Sequence, residues 1–117
     1  MISRLIAGEW KIFISPLTLD EYFHNMIRFS TVPRQEAFED LKESFSRVIK
    51  LPRIHLINSA PELKKQNKVV NLMIKHKLRS RDAYHLFIML ENKIKVLATF
   101  DNDFERVFTS GVVKHFV

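Results

Sequence analysis

Apolar positions along the chain alternate between short extended runs and longer helical stripes. Ile2, Leu5 and Ile6 recur at helical spacing and stop at Gly8, so the first residues read as the end of a helix with this glycine as its left-handed cap. Residues 11–15 alternate Ile12 and Ile14 around Phe13, the two-residue period of a strand. Ser15-Pro16 predicts a helix start, because a serine hydroxyl caps orphan amides and the fixed φ of proline suits the first turn. Leu19, Tyr22, Phe23, Met26 and Ile27 then form the stripe of an amphipathic helix whose other face carries Glu21, His24 and Arg28. A second helix is predicted from about Pro33 through Ala37, Phe38, Leu41, Phe45 and Val48, with Pro52 ending it.

Residues 53–58 read as the next strand. Ser59 with Glu62 three residues on has the pattern of a capping box, predicting a helix that buries Leu63, Val70, Met73, Ile74 and Leu78. Residues 82–90 are apolar on nearly every side, through Ala83, Leu86, Phe87, Ile88, Met89 and Leu90, which predicts a buried helix with an acid at its entrance. Residues 95–99 form an aliphatic strand, followed directly by Asp101-Asn102-Asp103, a short helical turn and a last strand over 112–116. Such alternation predicts an α/β fold, a mainly parallel sheet flanked by helices. With two glycines, four prolines and no internal repeat there is no candidate linker, so residues 1–117 read as a single domain.

Ligands of parallel sheets gather beyond the carboxyl ends of the strands, which is where Asp101 and Asp103 fall. Asp82 opens the helix feeding the same strand, and Glu21 lies on the helix following the first strand. Each acid has a plain conformational reading too: a helix dipole for Asp82, a turn for Asp101 and Asp103, a solvated face for Glu21. Together they are expected to meet at one edge of the sheet. Two carboxylates about 4 Å apart repel by roughly 4 kcal/mol at an effective dielectric of 20, so such a cluster needs protonation, basic neighbours or a divalent cation. Hard oxygen donors suit Mg²⁺ or Mn²⁺. Glu21-x-x-His24 and Asp82-x-x-His85 also have the spacing of di-iron helix bundles, but the strands here do not suit a four-helix bundle.

Charge and composition narrow the partners. The chain carries 19 Lys and Arg against 13 Asp and Glu, a net +6, which attracts polyanions such as RNA. Without cysteine there is no disulfide framework and no thiolate metal site, as expected in a reducing, cytoplasmic setting. Uncharged apolar runs reach eight residues, short of the ~20 a membrane span needs, and the N-terminus has no secretory pattern. Lys75, Lys77, Arg79 and Arg81 flank Asp82 and are candidate phosphate contacts.

Arg81-Asp82-Ala83-Tyr84-His85-Leu86, followed by Thr99-Phe100-Asp101-Asn102-Asp103-Phe104, resembles the second half of PIN domains, including the toxin ribonucleases of VapBC-type toxin–antitoxin pairs. Ile14-Ser15-Pro16-Leu17-Thr18-Leu19-Asp20-Glu21 resembles the strand and helix that supply the family's helical glutamate. The resemblance implies a metal-dependent endoribonuclease. It makes Glu21, Asp82 and Asp101 the metal-site acids, Asp103 an auxiliary ligand and Thr99 a hydroxyl bordering the site. It also implies Mg²⁺ or Mn²⁺ as cofactor, RNA as substrate, an antitoxin protein as a partner and a homodimer. The family pattern opens with an aliphatic strand ending in Asp, central in the sheet, and nothing before Lys11 matches it. A start truncated by that strand is therefore expected, with a non-catalytic RNA- or protein-binding PIN-like module as the alternative function.

Overall fold

The computed structural model describes residues 2–99 and 102–116, in two compact units divided after Ile57. The first comprises α1 (Ile2–Ala7), β1 (Ile12–Ile14), α2 (Pro16–Arg28), α3 (Arg34–Ile49) and β2 (Ile54–Leu56). β1 and β2 pair in parallel, in register from Ile12 opposite Ile54 to Ile14 opposite Leu56. Parallel neighbours require a crossover, and the α2–α3 hairpin provides it. Ile12 N–H donates to the Arg53 carbonyl and Ile57 N–H to the Ile14 carbonyl, both at 2.8 Å, which extends the ladder by one bond at each end.

The left-handed residue after α1 is Glu9 (φ 56°), not Gly8. The helix runs through Ala7, so Gly8 is the cap residue and the left-handed position falls one residue later. Glu9 N–H donates to the Ile6 carbonyl and Trp10 N–H to the Leu5 carbonyl, both at 3.1 Å. Gly8 is needed for space instead, because a Cβ there would lie 2.7 Å from the Trp10 indole. The Arg53 guanidinium also donates to the Ile6 carbonyl at 2.9 Å, tying the end of α1 to the start of β2.

At the head of α2 the serine and proline act as expected: Ser15 Oγ accepts from Thr18 N–H at 3.2 Å and Pro16 occupies the first turn. α2 joins α3 through a hydrogen bond between the Tyr22 and Ser44 hydroxyls and an edge-on contact of Phe23 with Phe45, centroids 5.1 Å apart. Their apolar stripes stay largely half-buried. No α2 residue is fully buried, Ala37 alone is buried on α3, and Phe38, expected within the stripe, is exposed.

In the second unit a 3-10 turn (Leu63–Gln66) leads into α4 (Asn67–His76), α5 (Ser80–Glu91) and β3 (Val96–Leu97). A second 3-10 turn (Asn102–Phe104), α6 (Glu105–Ser110) and β4 (Lys114–His115) follow. β3 and β4 pair in parallel, Val96 opposite Lys114 and Leu97 opposite His115. The core of this unit gathers around Leu86 and Phe87 with Val69, Phe104, Val107 and Val113. α5 is buried as its composition predicts, through Ala83, Leu86, Phe87, Ile88 and Met89, although Leu90 is exposed.

The capping box at Ser59 does not form. Asn58 Oδ1 accepts from the Ser59 amide at 2.9 Å, and Pro61 biases its predecessor away from helix, so regular α-helix starts only at Asn67. The buried stripe shifts accordingly. α4 buries Val69 and His76 and half-buries Leu72 and Met73, while Leu63 (87% exposed) and Ile74 (73%) face outward, contrary to the periodicity. Lys77 (φ 54°) ends α4 in the left-handed region, and Leu78 N–H donates to the Met73 carbonyl at 3.1 Å, so that Leu78 turns into the core as expected.

Because Ser15 sets both the end of β1 and the start of the helix carrying Glu21, Ser15→Ala should destabilise the protein by about 1 kcal/mol. Urea unfolding followed by circular dichroism measures this, and an unchanged midpoint would show that the cap does not hold α2.

Candidate functional site

Glu21 is half-buried on α2 in the first unit, two residues off the apolar stripe. Asp82 is half-buried in the first turn of α5, where the helix dipole favours its charge. The residue before α5, Arg79, is extended (φ −71°, ψ 160°), so the chain enters the helix directly from a basic segment. Thr99 follows β3 half-buried, and its carbonyl is 3.0 Å from His115 Nε2, a contact joining the exits of β3 and β4. The His115 ring in turn stacks on Phe108 with centroids 4.6 Å apart. Asp103 is exposed in the second 3-10 turn, and Asp101 lies outside the described residues.

The acids expected at one edge therefore come from both units, Glu21 from the first and Asp82 and Asp103 from the second. Carboxylate oxygens have the right chemistry for a hard cation. Among the described residues no group of three or more His, Asp or Glu is arranged to hold a metal ion.

Lys75, Lys77, Arg79 and Arg81 are all exposed around the end of α4 and the start of α5. They belong to a longer basic run: between Glu62 and Asp82 the chain has seven Lys and Arg and no acid. Of these, Lys65 is engaged with Glu62 at 3.8 Å and Glu91 at 3.9 Å. Residues 58–117 hold eleven Lys and Arg against six acids, whereas residues 1–57 hold eight against seven, so the positive field originates mainly in the second unit.

The periodicity missed one buried titratable group. His76 closes the stripe Val69, Leu72, Met73, His76, which has helical spacing in the sequence but differs from the expected stripe through Val70, Met73 and Ile74. Its Nε2 finds no hydrogen-bond partner among the described residues. Burial, and next the charge of Lys75, push its pKa below the ordinary histidine value.

Two parallel strand pairs, one bridged by a helical hairpin and the other by an acidic turn and a short helix, define an α/β protein. The PIN domain family matches residues 2–108, and the chain belongs to that family. The matched stretch includes Glu21, Asp82, Thr99, Asp101 and Asp103. Comparison with curated proteins and with solved structures gave no match. PIN domains are commonly nucleases that use divalent metals, and membership marks the chain as a nuclease-like or RNA-binding module. Among the described residues no helix is long and apolar enough to cross a membrane.

Because the folded state lowers the pKa of His76, its neutral form is favoured by folding. Its contribution to stability is complete above the unfolded value near pH 6.5 and is lost as pH falls through the folded value. His76→Leu should leave the melting temperature at pH 7.5 unchanged or raised, since it removes a buried polar atom without a partner, and should shrink the loss on going to pH 5.5. Thermal melts across that range read the effect; an undiminished pH dependence would assign it to other groups.

Proposed function

We propose that the chain is a metal-dependent endoribonuclease in which Glu21, Asp82 and Asp101 are the principal Mg²⁺ or Mn²⁺ ligands and Asp103 an auxiliary one. The observation that carries this is the family match over residues 2–108, a range that contains the helical glutamate, the acid opening the buried helix and the acids after the third strand. Thr99 borders the site through its hydroxyl. Lys75, Lys77, Arg79 and Arg81 contact substrate phosphates, supported by their exposure and by the acid-free run around them. When bound, a divalent ion supplies an acidified water and countercharge for the phosphodiester. The acids hold position and charge, while the basic segment brings RNA to them.

On this reading the fold is one PIN-like three-layer domain over residues 1–117, acting as a toxin with a cognate antitoxin or as a processing nuclease in the cytoplasm, where its RNA lies, and working as a homodimer. A second reading is a non-catalytic PIN-like module that binds RNA or a protein partner, consistent with family membership and needing no metal.

Asp101→Asn should lower Mn²⁺-dependent cleavage of a single-stranded RNA by about hundredfold or more, because it removes a charged ligand, while the melting temperature stays equal or rises as repulsion is relieved. Unimpaired cleavage by the variant defeats the catalytic assignment. RNA binding by wild type without any cleavage selects the second reading.

For Asp82 the corresponding change is in metal binding. Asp82→Asn should weaken Mn²⁺ binding measured by calorimetry, and an affinity equal to wild type would return this residue to its role at the helix dipole.

A further inference from the structure

The turn between α2 and α3 carries a second feature that the acidic site does not use. Arg28 lies over the ring of Phe29, its guanidinium carbon 5.2 Å from the ring centroid, and Arg34 lies over Phe38 at 5.4 Å. Both rings are open to solvent, Phe29 at 68% and Phe38 at 44% exposure. Between α2 and α3 runs a groove of about 460 Å³ lined by His24, Ile27, Arg28, Arg34 and Phe38 among others, with Asp20 its one carboxylate. Two exposed phenylalanines on one short hairpin waste apolar surface unless something covers them. Each already carries a planar cation on one side.

We propose that this hairpin end is a stacking platform for unpaired RNA nucleotides. Bases stack on aromatic rings and on guanidinium planes alike, and an arginine lying over a ring keeps N–H donors for a phosphate. A positively charged groove interleaved with exposed aromatic rings is what single-stranded nucleic acid requires, since every base offers a π-face whatever its sequence. The carboxylates of an acidic protein segment would pair with the same arginines but would leave the two exposed phenylalanine faces uncovered, whereas a nucleotide offers a phosphate and a π-face together. The platform holds the strand and has no part in the chemistry. The inference rests on the reading of the chain as an RNA-acting PIN domain, and it is separable from that reading because it needs neither metal nor cleavage.

The test is fluorescence anisotropy of the full chain with a fluorescein-labelled single-stranded RNA of about 12 nucleotides, in chelator so that no cleavage occurs. Phe38→Ala and Phe29→Ala should each weaken binding about tenfold, within the range for loss of one base–aromatic stack. Phe38→Leu keeps the apolar bulk that faces the hairpin and should lose as much, while Phe38→Tyr should bind like wild type. Arg34→Gln should lower the steepness of the salt dependence by about 0.7, the increment for one phosphate contact, and by more than Lys42→Gln, a charge removed from α3 outside the groove. Circular dichroism confirms that each variant is folded.

Wild-type binding that all the phenylalanine variants retain within twofold overturns the platform and leaves the nuclease reading standing. Loss of binding to a labelled glutamate-rich peptide, with RNA affinity kept, reassigns the groove to a protein partner and overturns it equally. If the wild-type chain does not bind RNA even at low salt, this inference and the proposed function fall together.

Discussion

Burial of α5 is the constraint on which the second unit depends. A helix apolar on nearly every side cannot lie on a surface, so Ala83, Leu86, Phe87 and Met89 gather Val69 of α4, Val107 of α6 and Leu97 of β3 around them. Each large side chain so buried stabilises by roughly 1.5–3 kcal/mol relative to exposure, far more than one surface ion pair. With the helix body fixed, its first turn is fixed too, and Asp82 stays half in solvent at the edge of the core. At the other end, Ile94 N–H donates to the Met89 carbonyl at 2.8 Å and turns the chain into β3, whose exit leads to Thr99 and the acidic turn. One apolar helix thus sets the origin of Asp82 and, through β3, of the acids that follow it.

Against this well-packed half, residues 1–57 are loosely covered. Ser15 and Ala37 are their buried residues among those described, and α2 relies on its cap, one pair of hydroxyls and one aromatic contact. Each is modest in energy, of order 1 kcal/mol or a little more. Glu21 therefore sits on a helix held by local devices and half-buried contacts rather than by fully buried residues.

What was legible in the chain followed strong local signals. Ser15-Pro16 named the start of α2, the all-round apolar run named a buried α5, and alternation of strand and helix named parallel pairing. The errors have physical causes. Gly8 was taken for the left-handed residue because glycine tolerates positive φ best, yet Glu9 adopts it while the Trp10 indole claims the space beside Gly8. Ser59 matched the capping pattern, but Pro61 interrupts it and α-helix starts at Asn67, while α4 packs through the face of Val69, Leu72, Met73 and His76, so that Ile74 points out and His76 in. Phe38 has the spacing of a core position but is 44% exposed, with the Arg34 guanidinium over its ring. Of the candidate site, the elements bearing Glu21, Asp82 and Asp103 were anticipated, whereas Asp101 lies beyond what the structure describes.

The uneven charge of the two units separates two ways of holding a polyanion. The surplus in residues 58–117 acts over a range set by the Debye length, about 8 Å at physiological ionic strength, and so serves capture more than register. Residues 1–57 are nearly neutral and attract little from afar, and Arg28 and Arg34 act at contact distance, each guanidinium lying over a phenylalanine ring. Salt weakens charge–phosphate contacts in either unit and leaves the stacking of a base on a ring nearly untouched. A protein using both retains a sequence-tolerant grip on unpaired RNA at ionic strengths that strip away the long-range field, and double-stranded RNA, whose bases are already stacked on one another, keeps only the salt-sensitive part.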